Sequence, residues 1–135
     1  MLRMKSIVIG QTVAMTTAQR TRNICYIAGA DNPTAPTLTT SDSQQSFFHN
    51  LIGPMSVANT LGAVWCQTNA NTASINLSDG GTNFFGAAQS CSATGVNLTP
   101  NAISILAGDN LNFSIAANPA AGTTRITVCI AAAVN

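Results

Sequence analysis

The chain has 135 residues, enough for one domain with a substantial core. It carries five basic side chains and four acidic ones, and all four acids are aspartates. The net charge of +1 excludes tight electrostatic binding to nucleic acid or to an anionic membrane, because both need many clustered lysines and arginines.

The first 22 residues differ from the rest in charge. They contain no acid but four of the five basic side chains, namely Arg3, Lys5, Arg20 and Arg22. Their one apolar stretch, residues 7–9, is too short for the apolar centre of a signal peptide or for a membrane span of about 20 residues. We therefore predict an N-terminal arm over residues 1–22, with a strand at 6–14, and we expect no cleaved leader and no membrane contact.

The main domain is expected to cover residues 23–135. Residues 23–28 predict its first strand, and residues 31–42, rich in proline and threonine, predict a loop over the surface. Two interpretations of residues 46–52 stay open. The spacing of the apolar residues fits one or two helical turns after Asp42, whereas the phenylalanines equally favour a strand.

Alternation of apolar and polar residues dominates the second half of the chain. After a strand at 63–67, period-2 patterns occur around residues 74–78, 103–105, 111–115 and 126–130, separated by turns rich in Gly, Asn, Asp and Pro. Short strands at this spacing are typical of an antiparallel β-sandwich or barrel.

The four cysteines lack the close spacing of a metal clip or a redox loop. They are Cys25, Cys66, Cys91 and Cys129. They allow three disulfide pairings, and Cys25 with Cys129 is open to pairing if the first and last strands are neighbours. Four reduced, packed thiols are slightly favoured, because no signal peptide is expected.

The sequence does not support an enzyme. His49 is the only histidine, no nucleophile-elbow motif is present, and the four aspartates are isolated in turns or loops. The glycines match neither a phosphate loop nor a dinucleotide fingerprint. We therefore predict no catalytic residue, no metal site and no cofactor.

The aromatic residues give the best hint of a partner. In a strand, the pairs at 47–48 and 84–85 would point one ring to each face, so we expect Phe47 and Phe84 to contribute to an interface. Trp65 and Tyr26 are candidates for a sugar-stacking platform, although core or rim packing is commoner for such rings.

A family resemblance rests on several short motifs. They are AVWCQTN at 63–69, TASINL at 72–77, Cys91, AGDNLNFSI at 107–115 and TRITV at 124–128. Over residues 56–132 the chain resembles the small jelly-roll head-decoration, or cement, proteins of tailed bacteriophages. The resemblance implies an all-β, antiparallel, eight-stranded jelly-roll sandwich, often a homotrimer, on the outer surface of the capsid.

Together these observations predict a structural virion protein. It would bind the major capsid protein through Arg3, Lys5, Arg20, Arg22, Phe47 and Phe84, stabilise the head, and be assembled in the host cytoplasm. The alternative is a receptor- or carbohydrate-binding β-sandwich module of a phage head or tail fibre.

Overall fold

A computed structural model describes residues 21–30, 37–43, 48–49 and 54–134 of the chain. This part contains strands and one short 3-10 turn, Thr40–Asp42, but no α-helix. The strands are β1 (Thr21–Gly29), β2 (Phe48–His49), β3 (Met55–Val57), β4 (Val64–Thr68), β5 (Thr72–Asp79), β6 (Thr82–Asn83), β7 (Gln89–Ser92), β8 (Val96–Leu98), β9 (Ile103–Ile105), β10 (Asn110–Ile115) and β11 (Arg125–Val134).

The strands form one mixed, open sheet in the order β2-β10-β5-β7-β4-β11-β3-β9. Strand β1 pairs along one side of β11, while β4 and β3 share its other side. The contact of β7 with β4 is parallel, and the other pairings are antiparallel. The all-β prediction is therefore confirmed, but this part of the chain has eleven strands where eight were expected.

Alternating residues explain which side of each strand is buried. Ile75 and Leu77 of β5 face the core, as does Phe113 of β10, and the polar residues between them are half-buried or exposed. On β11, Ile126 and Ile130 are completely buried. The strand predictions from period-2 patterns are thus confirmed, because one face of each strand is removed from water.

The loop before β2 is partly held against the domain. Leu38 is completely buried, and its backbone N–H donates to the carbonyl of Thr123 at 2.7 Å. Thr39 and Asp42 form a reciprocal cap around the 3-10 turn. Residues 31–36 and the predicted strand at 6–14 lie outside the described residues.

The two interpretations of residues 46–52 can be compared only at residues 48–49. The backbone there is a strand that pairs with Asn110 and Leu111 of β10. At these two residues the structure therefore follows the strand alternative.

The cysteines are paired, which corrects the favoured interpretation of four reduced thiols. One disulfide joins Cys25 to Cys129, which lie directly opposite each other in β1 and β11. The other joins Cys66 of β4 to Cys91 of β7 inside the core. Pairing of the first and last strands of the domain, which sequence spacing alone does not reveal, makes the first bridge geometrically accessible.

Candidate partner-binding surface

A shallow groove of about 720 Å³ lies on the outward face of the sheet. Its floor consists of side chains that the strand alternation turns away from the core, and all of them are small. They are Thr21 of β1, Ser56 of β3, Ser104 of β9, and Ala131 and Ala133 of β11. Because short side chains leave the backbone near the surface, another chain can approach this face closely.

One rim of the groove is the turn that connects β3 to β4. Leu61 lies in this turn, lines the groove and is 73% exposed. The carbonyl of Thr60 accepts a hydrogen bond from the backbone of Ala63 at 3.1 Å, and Gly62 donates to the carbonyl of Leu98 at 3.0 Å. A hydrogen-bonded turn thus presents an apolar side chain to solvent at the edge of the groove.

The described lining of the groove is uncharged. The groove also begins where the predicted arm joins the domain, because Thr21 lines it. Arg22 is exposed, and its Nη1 donates to the carbonyl of Thr21 at 3.1 Å. Arg22 is the one predicted arm residue that the structure describes, whereas Arg3, Lys5, Arg20 and Phe47 lie outside the described residues.

Phe84 does not form an exposed contact, so this part of the prediction is wrong. Its side chain is completely buried, and Phe85 is 3% exposed. The prediction assumed a strand, but residues 84–87 form a bend after β6, where both rings can turn inward. Hydrogen bonds from Phe84 to the carbonyl of Leu77 and from Asn101 to the carbonyl of Phe84 hold this bend against the core.

Tyr26 and Trp65 lie on opposite faces of the sheet. Tyr26 aligns with the buried Val128 and packs against Phe113, with ring centroids 5.7 Å apart. Trp65 aligns with Cys129 on the outward face and is half-buried. The two rings therefore cannot form one sugar-stacking platform.

One titratable group has a strongly altered environment. Burial, together with the neighbouring carboxylate of Asp109, raises the pKa of Asp79 to about 6. In the described part of the chain, no group of three or more His, Cys, Asp or Glu side chains is arranged to hold a metal ion. The backbone of His49 pairs with Asn110, which places this histidine on the strand beside β10.

Sequence patterns did not indicate the groove. The sequence carries only a weak signal for it. Leu61 is an apolar residue in a turn, outside any alternating pattern, and the outward positions near the end of β11 are alanines. Such positions become a surface feature only when β1, β3 and β9 are known to be close to β11.

The described residues include no helix long and apolar enough to cross a membrane. Comparison with known proteins finds no matching family model, no matching curated protein and no matching solved structure.

Proposed function

We propose that this protein is a structural subunit of a virion, a decoration or cement protein that binds the major capsid protein and stabilises the head. In this proposal the layer formed by β1, β11, β3 and β9 and the layer formed by β2, β10 and β5 correspond to the two sheets of a jelly-roll sandwich. The subunit acts as a homotrimer on the outer capsid surface.

The observation that carries the proposal is the uncharged groove next to the start of the domain. Its small side chains and the exposed Leu61 suit a close, permanent contact with another protein, since the buried centres of such contacts are poor in charge. The arm leaves the domain at this groove, so an arm and a groove from one subunit can engage neighbouring capsid subunits together.

The distribution of charge supports the same proposal. Residues 1–22 hold four basic side chains and no acid, whereas residues 23–135 hold Arg125 and all four aspartates. A cationic arm on a weakly acidic domain is suited to reach across an acidic capsid surface. The domain itself then contributes an apolar contact.

The disulfides fit a location on the outside of a particle. Paired cysteines persist in oxidising surroundings, including virion surfaces, and are rare in the cytosol. A subunit assembled in the host cytoplasm would therefore complete its two bridges after release of the particle. Both bridges connect neighbouring strands of the domain, so the reduced chain can already adopt the same sheet order.

The proposal is tested by adding the purified protein to capsids that lack it and measuring binding and the temperature of head disruption. We expect the wild-type protein to bind and to raise that temperature. Leu61→Ser should weaken binding at least about tenfold, because it removes an apolar side chain from the contact. Ile27→Ser is the matched control: Ile27 is 60% exposed, but on β1 it lies six residues, about 20 Å, from Thr21.

Two results would reject the proposal. In the first, heads with and without the protein are disrupted at the same temperature. In the second, Leu61→Ser and Ile27→Ser both bind as well as the wild type, which would show that the groove is not part of the contact. Far-ultraviolet circular dichroism of both variants verifies that each substitution leaves the fold intact.

A further inference from the structure

The two disulfides differ in how far solvent can reach them. Cys66 and Cys91 are completely buried inside the core. Cys25 is exposed and Cys129 is half-buried, because both stand on the outward face of the sheet, where β1 and β11 place them directly opposite each other. A disulfide reacts with a thiol only if the thiolate can reach one of its two sulfurs. The fold therefore leaves one bridge open to small thiols and closes the other.

The open bridge is easier to approach at one sulfur than at the other. A thiolate attacks a disulfide along the line of the sulfur–sulfur bond, from the side opposite the leaving sulfur. For Cys25 this line extends out beyond β1, and among the described strands only β11 pairs with β1. For Cys129 the line crosses the neighbouring strand β4, where Trp65 stands directly opposite Cys129. The geometry thus favours attack on Sγ of Cys25.

The described neighbours of this bridge on the outward face are uncharged. An acidic side chain beside the bridge would repel an approaching thiolate, and these positions provide none. They are Asn23 and Ile27 on β1, Thr127 and Ala131 on β11, and Trp65 on β4. An anionic thiol can therefore reach the exposed sulfur without electrostatic repulsion from its immediate surroundings.

We propose that the bridge between Cys25 and Cys129 is a site of reversible thiol–disulfide exchange, and that it reacts with a low-molecular-weight monothiol of the glutathione class. The thiolate attacks Sγ of Cys25 and forms a new sulfur–sulfur bond with it. The bond between Cys25 and Cys129 breaks, and the Cys129 sulfur leaves with the electron pair and takes a proton from water. The small thiol is thereby oxidised and Cys129 is reduced, so no further oxidant or reductant is needed.

The exchange changes how β1 is attached to the domain. The bridge lies at the fifth of the nine residue pairs between β1 and β11, so its opening removes a covalent link from the middle of this pairing. The buried bridge continues to join β4 to β7. Attack by the Cys129 thiolate on the mixed disulfide expels the small thiol and restores the first bridge. The attachment of β1 thus responds to the surrounding thiol concentration, and this inference does not depend on the proposed capsid role.

The test treats the folded wild-type protein with reduced glutathione at mildly alkaline pH, quenches samples rapidly with excess iodoacetamide, and maps the peptides by mass spectrometry. We expect glutathione on Cys25 and the alkylating group on Cys129. The exposed bridge should react at least about a hundredfold faster than the bridge between Cys66 and Cys91, because the buried bridge becomes accessible only when the core opens. In concentrated urea this difference should largely disappear, because unfolding exposes both bridges.

The double variant Cys25→Ala with Cys129→Ala is the matched control, and it should take up no glutathione while it is folded. The proposal is overturned if neither bridge of the folded wild type reacts, if both react at the same rate, or if the double variant takes up as much glutathione as the wild type. Glutathione found on Cys129 instead of Cys25 also overturns it. Should the double variant fail to fold, comparison of the two bridges in the wild type, with and without urea, decides the question.

Discussion

Gly95 connects β7 to β8 under the ring of Trp65. Its φ of +85° is disfavoured for residues with a side chain, and a Cβ atom there would lie 2.9 Å from Nε1 of Trp65. We expect Gly95→Ala to lower the free energy of unfolding by at least about 1 kcal/mol, measured by urea denaturation. Gly86→Ala is the matched control, because a Cβ atom on Gly86 would meet no atom within 4 Å and the φ of Gly86 is not positive. Equal effects of the two substitutions would contradict this role of Trp65 packing.

Asp79 should make the free energy of unfolding depend on pH. Its pKa is raised in the folded state from the ordinary 3.8 to about 6, chiefly by burial and then by Asp109. The folded state therefore binds the proton more tightly, so the free energy of unfolding falls as the pH rises from about 4 to about 6. Each unit of raised pKa corresponds to about 1.4 kcal/mol, which puts the loss at no more than about 3 kcal/mol.

Urea denaturation between pH 4 and pH 7 checks this prediction. The free energy of unfolding should change much less with pH for Asp79→Asn, because asparagine cannot ionise at this position. The two proteins share every other ionisable group, so the difference between their pH dependences isolates Asp79. If the free energy of unfolding of the wild type rises over this range as much as that of Asp79→Asn, the raised pKa of Asp79 is contradicted.

At the scale of single residues, the sequence indicated burial well where a strand was correctly predicted and poorly elsewhere. Ile75, Leu77 and Phe113 were placed correctly because alternation directly reports the two faces of a strand. Phe84 was placed wrongly because it lies in a bend, where alternation no longer applies. Leu61 was missed because the exposure of a turn residue depends on which elements pack beside it.

The β1–β11 pair is the longest pairing in the described sheet, with nine residue pairs and one disulfide. We expect replacement of Cys25 and Cys129 by alanine to lower the free energy of unfolding by about 2–5 kcal/mol, because the bridge closes a long loop of 104 residues. Cys25 is exposed and Cys129 is half-buried, so most of this loss comes from the bridge and not from packing.

Urea denaturation under non-reducing conditions measures this effect. Asn23→Ala is the control, since Asn23 is exposed two residues away on β1 and its replacement should change stability by less than about 0.5 kcal/mol. An unchanged midpoint for the cysteine variant would show that the bridge contributes nothing to the folded state. Peptide mapping without reductant independently verifies the two pairings.

At the scale of elements, local patterns located the long strands but not their order. The strands β5, β10 and β11 could be predicted because each has three or more alternating positions. The two-residue strands β2 and β6 are too short to carry a pattern. The sheet order and the second disulfide arise from contacts between residues far apart in sequence, which periodicity does not encode.

For the whole molecule, the separation of charge predicts that the proposed contact with a capsid depends on salt. Removal of residues 1–20 takes away three of the five basic side chains, Arg3, Lys5 and Arg20. We expect the binding of the full chain to capsids to weaken as salt rises from low to physiological concentration, and that of the truncated chain to depend much less on salt.

Binding titrations at several salt concentrations measure how steeply the affinity of the full chain and that of the truncated chain fall as salt rises. Arg125→Gln provides a control, because it removes one exposed basic side chain from the domain and leaves the arm unchanged. Equal slopes for the full and truncated chains would show that the arm does not act through its charge. The groove contact would then have to account for the whole affinity.

The position of the disulfide in β1 also determines how the subunit responds to force. A pull on the arm enters the domain at Thr21 and peels β1 from β11 one hydrogen-bonded pair after another. Only the four pairs from Thr21↔Ala133 to Ile24↔Ile130 can separate before the tension reaches Cys25 and is carried by a covalent bond into the C-terminal strand. An oxidised subunit whose arm is anchored to an expanding shell would therefore transmit tension into the middle of its sheet, whereas a reduced one would unzip along the whole length of β1.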